Sequence, residues 1–149
     1  MLREASKEAL CTSHADDAHI WKSPVGLRYW QLNKEQIANG LRCTRVFILS
    51  DEELKNLPRR QAITETMKQQ AAGGVQVLVT YQTSLPDDLR KGIAIFDQKI
   101  YSETIMSGAG QTIGTYLDWG PERLNREIEN CRLLESFSMP LDSFLSSQR

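Results

Sequence analysis

Two histidines and two aspartates lie close together near the start of the chain, a combination of side chains that often binds a transition metal. They are His14, Asp16, Asp17 and His19. A structural zinc site needs four ligands in a fixed geometry, and the sequence has no second cluster of cysteines or histidines that would complete one. We therefore interpret residues 12–22 as a polar connecting loop and predict no metal.

A second group of candidate residues surrounds Asp97 and the glycine-rich stretch 107–110. The backbone amides of such a stretch can bind an anion, but a flexible hairpin loop explains the same residues without a ligand. Asp97 is equally well explained as the first residue of a turn, where its side chain satisfies backbone amides. The tentative ligand site of the sequence consists of Arg90, Asp97, Ser107, Gly108 and Gly110.

Cofactor chemistry finds little support in the sequence. Neither a phosphate-binding Gly-x-x-x-x-Gly-Lys-Ser/Thr motif nor a dinucleotide-binding Gly-x-Gly-x-x-Gly motif is present, so we predict no cofactor. The three cysteines, Cys11, Cys43 and Cys131, are an odd number without a Cys-x-x-Cys pair, which is typical of a reducing compartment. With no long apolar run and no leader at Met1, we expect a cytoplasmic protein that does not associate with a membrane.

The charge of the chain is nearly balanced, with 18 Lys+Arg against 19 Asp+Glu. Such a chain has no global field that would attract DNA. The remaining basic residues are scattered, and without an aromatic stacking platform we interpret them as solvated surface: Arg42, Arg45, Arg59, Arg60 and Lys68. Nucleic acid is therefore not the partner that this composition favours.

The hydrophobic pattern predicts an α/β protein. Short apolar runs at 46–49 and 75–79 flank a helix that begins with a capping box at Ser50 and Glu53, restarts near Pro58 and ends at 73–74. Further strands are predicted at 93–96, 100–105 and 112–117, and further helices after Ser23 and Gly120. One crossover plus a hairpin predicts a mixed, mainly parallel sheet with helices on both faces.

Three segments are predicted along the chain. Residues 1–41 have helical composition, with a first helix from Leu2 to Leu10, and would pack on the core or link it to another domain. Residues 42–137 form the α/β core. Residues 138–149 are a serine-rich tail that is expected to fray.

The order of elements over residues 42–137 resembles the phospholipase-D-like fold. The resemblance rests on the strands 45–49 and 75–79, the helix between them, and the hairpin that carries Ile95-Phe-Asp97. The catalytic motif of that superfamily is His-x-Lys, four residues, then Asp. With Asp97 as the aspartate, Arg90 stands at the histidine position and Gly92 at the lysine position. Arginine stays protonated and cannot act as the nucleophile, so both working groups are missing.

The resemblance thus implies a non-catalytic module rather than an enzyme. Relatives of this kind serve as regulatory, ligand-sensing or protein-interaction modules of prokaryotic signalling proteins, with a small molecule or a protein as partner. They also commonly pair two copies, which implies a homodimer here. The alternative is a phosphodiesterase or nuclease with a non-standard active site.

Overall fold

The computed structural model describes residues 5, 7–14, 18–107 and 112–148. Over these residues, seven strands form one mixed sheet in the order β6-β5-β4-β1-β2-β3-β7. The strands are β1 Glu8–His14, β2 Arg42–Leu49, β3 Gln76–Tyr81, β4 Ile93–Phe96, β5 Ile100–Met106, β6 Thr112–Asp118 and β7 Met139–Pro140.

The α/β class is confirmed, but the prediction of a mainly parallel sheet is wrong. Only the β1–β2 and β2–β3 pairs run parallel, whereas the β1–β4, β3–β7, β4–β5 and β5–β6 pairs run antiparallel. The physical reason lies in the connections. Parallel neighbours need a long crossover, and helices supply one only between β1 and β2 and between β2 and β3, while β4, β5 and β6 follow one another through short connections.

The helices begin and end close to the signals that the sequence provides. They are α1 Ala18–Trp21, α2 Pro24–Ala38, α3 Asp51–Lys55, α4 Leu57–Ala72, α5 Pro121–Ser136 and α6 Leu141–Ser147. Ser50 and Glu53 form the predicted capping box at the start of α3, and Asn56 separates α3 from α4 just before Pro58. No helix in the described ranges combines the length and the apolar character needed to cross a membrane.

Helices cover both faces of the sheet, as the sequence predicted. On what we call the first face, Phe47 and Val79 pack in one cluster with Met67 of α4, Phe144 of α6 and the partly buried Trp30 of α2. On the second face, α5 covers the sheet and contributes core residues to two further clusters, Leu134 to one and Leu124 and Cys131 to the other. The central strands are therefore buried on both sides, which explains their continuous apolar sequence.

Two predictions at the ends of the chain are wrong. A helix was assigned from Leu2 to Leu10, but residues 8–10 belong to β1, which lies at the centre of the sheet between β4 and β2; residues 1–4 and 6 lie outside the described residues. Pairing on both sides overrides the helical composition of Glu8 and Ala9, because tertiary context outweighs local propensity. The expected fraying tail forms α6, whose Phe144 is buried. The division at residues 41 and 137 stays a prediction, although both flanking segments add a strand to this sheet.

Candidate nucleic-acid interface

The tentative ligand residues do not all lie at one end of the sheet. Asp97 forms the turn between β4 and β5, whereas Arg90 precedes β4 and Ser107 follows β5, at the opposite end of this hairpin. Arg90 donates to the carbonyl of Leu85 at 2.9 Å and pairs with Asp87 at 3.0 Å. Gly108 and Gly110 lie outside the described residues. Ligand binding by these residues stays a prediction.

Asp97 has a clear structural part in the fold. Its Oδ1 accepts hydrogen bonds from the backbone amides of Lys7 and Glu8, each at 2.9 Å. Asp97 and Gln98 have φ values of 51° and 54°, and the amide of Lys99 donates to the carbonyl of Phe96 at 2.9 Å. This is a tight β-turn with both central residues in the left-handed region, and it lies within the three-residue connection between the paired residues Phe96 and Ile100. The turn and the carboxylate together fasten the start of β1 to the end of β4.

The histidines and aspartates near the start of the chain are described only in part. His14 is the last residue of β1, His19 lies in α1, and Asp16 and Asp17 lie outside the described residues. Within the ranges that the structure describes, no group of three or more His, Cys, Asp or Glu side chains is placed to hold a metal ion. The predicted polar loop is wrong for His14, which pairs with Ile48 of β2.

A cluster of charged and aromatic side chains joins α5 to β5 and β6. Arg123 pairs with Glu103 at 2.8 Å and with the buried Glu127 at 3.2 Å. Its guanidinium lies 5.0 Å from the ring centre of Tyr101 and 5.5 Å from that of Tyr116. Burial, together with the hydrogen bond to Glu103, raises the pKa of Tyr101. Because the charges of this cluster are paired within it, we interpret the cluster as an anchor for α5.

A surface cleft of about 360 Å³ lies between α4 and α6. We call it the α4–α6 cleft. On the α4 side it is lined by Arg60, Gln61, Thr64 and Lys68, and Gln148 lines the α6 side. Residues four apart lie on the same side of a helix, so positions 60, 64 and 68 form one stripe. Arg60 and Lys68 are separated by about 12 Å along the axis, at 1.5 Å per residue.

The two cations of this stripe, Arg60 and Lys68, form no ion pair with another described residue. The ion pairs between described residues include Arg59 with Glu52 at 3.2 Å, but none includes Arg60 or Lys68. Glu65 is the carboxylate among the lining residues. Within the described ranges, the cleft therefore offers two cations outside any ion pair, with amide and hydroxyl groups between them. Side chains of these types make most contacts to DNA phosphates.

Comparison with solved structures shows that this fold is similar to that of a DNA-binding protein. The fold is similar to that of TrmBL2. The solved structure of TrmBL2 is described as that of an archaeal chromatin protein with a novel mode of DNA binding, and the two chains share 11% sequence identity with a TM-score of 0.57. The likeness covers 93% of this chain and 47% of the TrmBL2 chain, so this chain spans about half the length of TrmBL2. No protein-family model and no curated protein matches the sequence.

The likeness to TrmBL2 corrects three predictions. The phospholipase-D-like assignment is wrong, because the fold is instead similar to that of TrmBL2. The prediction of a signalling module is wrong for the same reason, and the expected pairing of two copies loses its basis, since it rested on that assignment. The statement that nucleic acid is not the favoured partner is also contradicted, because TrmBL2, whose fold is similar, is described as binding DNA.

The sequence contained a signal for the α4–α6 cleft that composition alone concealed. Arg60 and Lys68 were interpreted as scattered surface cations, but their eight-residue separation around Thr64 predicts a common helix side. What the sequence could not provide was α6, which closes the other wall of the cleft with Leu145 and Gln148. The solvated-surface prediction is wrong for Arg45, whose side chain is buried.

Proposed function

We propose that this chain is a DNA-binding α/β domain and that its α4–α6 cleft contacts the phosphate backbone of DNA. The observation that carries the proposal is the pair of cations on α4, Arg60 and Lys68, beside the donors of Gln61 and Thr64; neither cation is ion-paired with another residue that the structure describes. The likeness in fold to TrmBL2 over 93% of the chain supports it. Phosphate contacts carry no direct sequence information, so the binding is independent of base sequence.

The contact is weak by itself. Each phosphate neutralised by a cation contributes about −0.9 to the slope of log K against log salt concentration. Two cations therefore give a slope of about −1.8, so affinity falls roughly tenfold between 50 and 200 mM salt. Glu65 in the lining and a net charge of −1 keep the affinity low.

We propose that such a domain adds to other DNA contacts of an assembly instead of holding DNA alone. A weak contact gains strength when a neighbouring contact raises its effective concentration, and this chain spans 47% of the TrmBL2 chain. A cytoplasmic location fits this role, because Cys11, Cys43 and Cys131 are all free and buried, as is usual in a reducing compartment.

The test is a fluorescence anisotropy titration of a labelled 20-base-pair duplex in a low-salt buffer. We compare the wild-type chain with the double variant Arg60→Ala and Lys68→Ala. The control is the double variant Lys99→Ala and Arg132→Ala, which removes the same charge from exposed positions outside the cleft.

The cleft variant is expected to bind at least about fivefold more weakly and to reduce the salt slope by about two. The control is expected to bind like the wild-type chain. Equal losses in both variants would mean that only net charge matters, and absence of binding by the wild-type chain at low salt would refute the proposal. A second duplex of shuffled sequence is expected to bind with the same affinity.

A further inference from the structure

Arg45 is a charged side chain buried in the centre of the protein. It lies on β2, on the first face of the sheet, and its exposed fraction is 1%. Its guanidinium donates from Nη1 to Oε1 of Gln70 at 2.5 Å and from Nη2 to Oδ1 of Asn33 at 3.2 Å. The guanidinium carbon lies 4.5 Å from the ring centre of Trp21. The ring centre of Tyr29 lies 6.0 Å away, so two neutral amides and two aromatic rings surround the charge.

Arg45 has no counter-ion in the part of the chain that the structure describes. None of the ion pairs between described residues includes it. Its Nε–H is buried without a hydrogen-bond acceptor, and the indole Nε1–H of Trp21 is also buried without one. Arginine cannot lose its proton in a protein, and a buried charge is costly unless it is paired. A carboxylate beside Arg45 would therefore compensate the charge and accept the Nε–H.

A small cavity adjoins this site. It lies between α2 and α4, has a volume of about 150 Å³, and shares Trp21 and Gln70 with the surroundings of Arg45. We call it the α2–α4 cavity. Leu27 and Trp30 add apolar walls, and Lys22 and Glu65 are the charged side chains of its lining. A volume of about 150 Å³ accommodates one benzene ring, and Thr66, Gln69 and Gln70 give this cavity polar groups beside its apolar walls.

We propose that the α2–α4 cavity binds the anion of a small aromatic or branched aliphatic carboxylic acid. Its carboxylate pairs with Arg45 after the Gln70 side chain rotates aside. A carboxylate matches the fork of N–H groups of a guanidinium, and it can accept the unpaired Nε–H. The apolar part of the ligand packs against Trp21, Leu27 and Trp30. The α2–α4 cavity lies on the other side of α4 from the α4–α6 cleft and shares only Glu65 with it among the lining residues, and the proposal does not depend on DNA binding.

The first experiment is thermal unfolding of the wild-type chain in sodium benzoate, up to 50 mM. Benzamide is the neutral match of the same shape, and sodium chloride controls for ionic strength. Benzoate at about ten times its Kd is expected to raise Tm by roughly 3 °C or more, whereas benzamide and sodium chloride leave it unchanged. No rise with benzoate, or an equal rise with benzamide, overturns the proposal.

The second experiment places a carboxylate beside Arg45 within the chain itself. Gln70→Glu places an acid where the amide now contacts Arg45, so Tm is expected to rise without a ligand and the response to benzoate to disappear. Gln61→Glu makes the same chemical change on the α4–α6 cleft side of the helix and is expected to keep the full response. A response of Gln70→Glu equal to that of the wild-type chain overturns the proposal.

A third variant covers the case in which Gln70→Glu does not fold. Arg45→Met removes the charge at similar length, and replacing a buried charge by an apolar side chain of similar volume is often neutral or stabilising. This variant is expected to fold and to show no Tm rise with benzoate. A Tm rise equal to that of the wild-type chain would show that Arg45 does not hold the ligand.

Discussion

Replacement of Asp97 by alanine, glycine and asparagine, one at a time, tests whether its role is to stabilise the fold and not to bind a ligand. The carboxylate accepts backbone amides from Lys7 and Glu8 at 2.9 Å each, and the residue has a φ of 51°. Alanine removes the acceptor and is strained in the left-handed region. Glycine also removes the acceptor, but it adopts this backbone conformation without strain. Asparagine keeps an acceptor and tolerates this conformation.

The expected losses in free energy of unfolding follow from these contacts. A hydrogen bond to a charged group contributes about 1.5–3 kcal/mol. Because the amide of Lys7 is exposed, its bond contributes less than this range, and we expect about 2–3 kcal/mol for the two bonds together. A non-glycine residue other than Asn or Asp costs roughly 1 kcal/mol more in the left-handed region. Alanine is thus expected to lose about 3–4 kcal/mol, glycine about 2–3 kcal/mol and asparagine about 1 kcal/mol.

Urea unfolding followed by tryptophan fluorescence measures all three variants against the wild-type chain. The ordering of the losses, alanine above glycine above asparagine, is the sharpest part of the prediction. If alanine lost less than about 0.5 kcal/mol, a typical value for a neutral surface substitution, the fastening of β1 by Asp97 would be refuted. If asparagine lost as much as alanine, the charge and not the acceptor geometry would be responsible.

Two other predictions concern the core. Phe47, whose exposed fraction is 0%, lies on β2 inside the sheet, so Phe47→Ala is expected to lose about 3–5 kcal/mol in urea unfolding; a loss below about 1 kcal/mol would contradict its core position. Burial raises the pKa of the Cys43 thiol to about 11 and that of Cys131 to about 12. The folded chain therefore keeps protons that the unfolded chain releases above about pH 9, the ordinary thiol pKa, and stability is expected to fall as pH rises from 9 to 11. Urea midpoints that stay flat from pH 8 to pH 10 would contradict this.

Local patterns predicted those parts of the fold that local interactions determine. β2 and β3 were predicted from short apolar runs, because a strand buried on both faces needs such a run. The start of α3 followed from the Ser50–Glu53 capping box, whose partners are three residues apart. β1 was missed because its partners are distant in sequence: Glu8 pairs with Arg42, and Ala9 pairs with Phe96.

The two candidate sites were hidden from the sequence for a related reason. The α4–α6 cleft needs α6, which packs against α4 across many intervening residues. Arg45 was grouped with surface cations because most arginines are exposed, and nothing near it in sequence indicates that Asn33, Gln70 and Trp21 enclose it. For Asp97, the sequence offered the simpler interpretation of a turn residue whose side chain accepts backbone amides, and its contacts and φ value agree with that interpretation.

The central position of β1 has a consequence for the order of folding. The strands β1, β2 and β3 form one parallel unit, and β4, β5 and β6 form one antiparallel unit. Within the described sheet these units meet only through β1 and β4, where Ala9 faces Phe96, Leu10 faces Ile95 and Cys11 faces Ala94. Pairing β1 with β4 closes the long stretch of chain between His14 and Ile93, which is entropically unfavourable and slow. During synthesis each unit can form by itself, whereas the pairing of β1 with β4 can form only after residue 96 has left the ribosome.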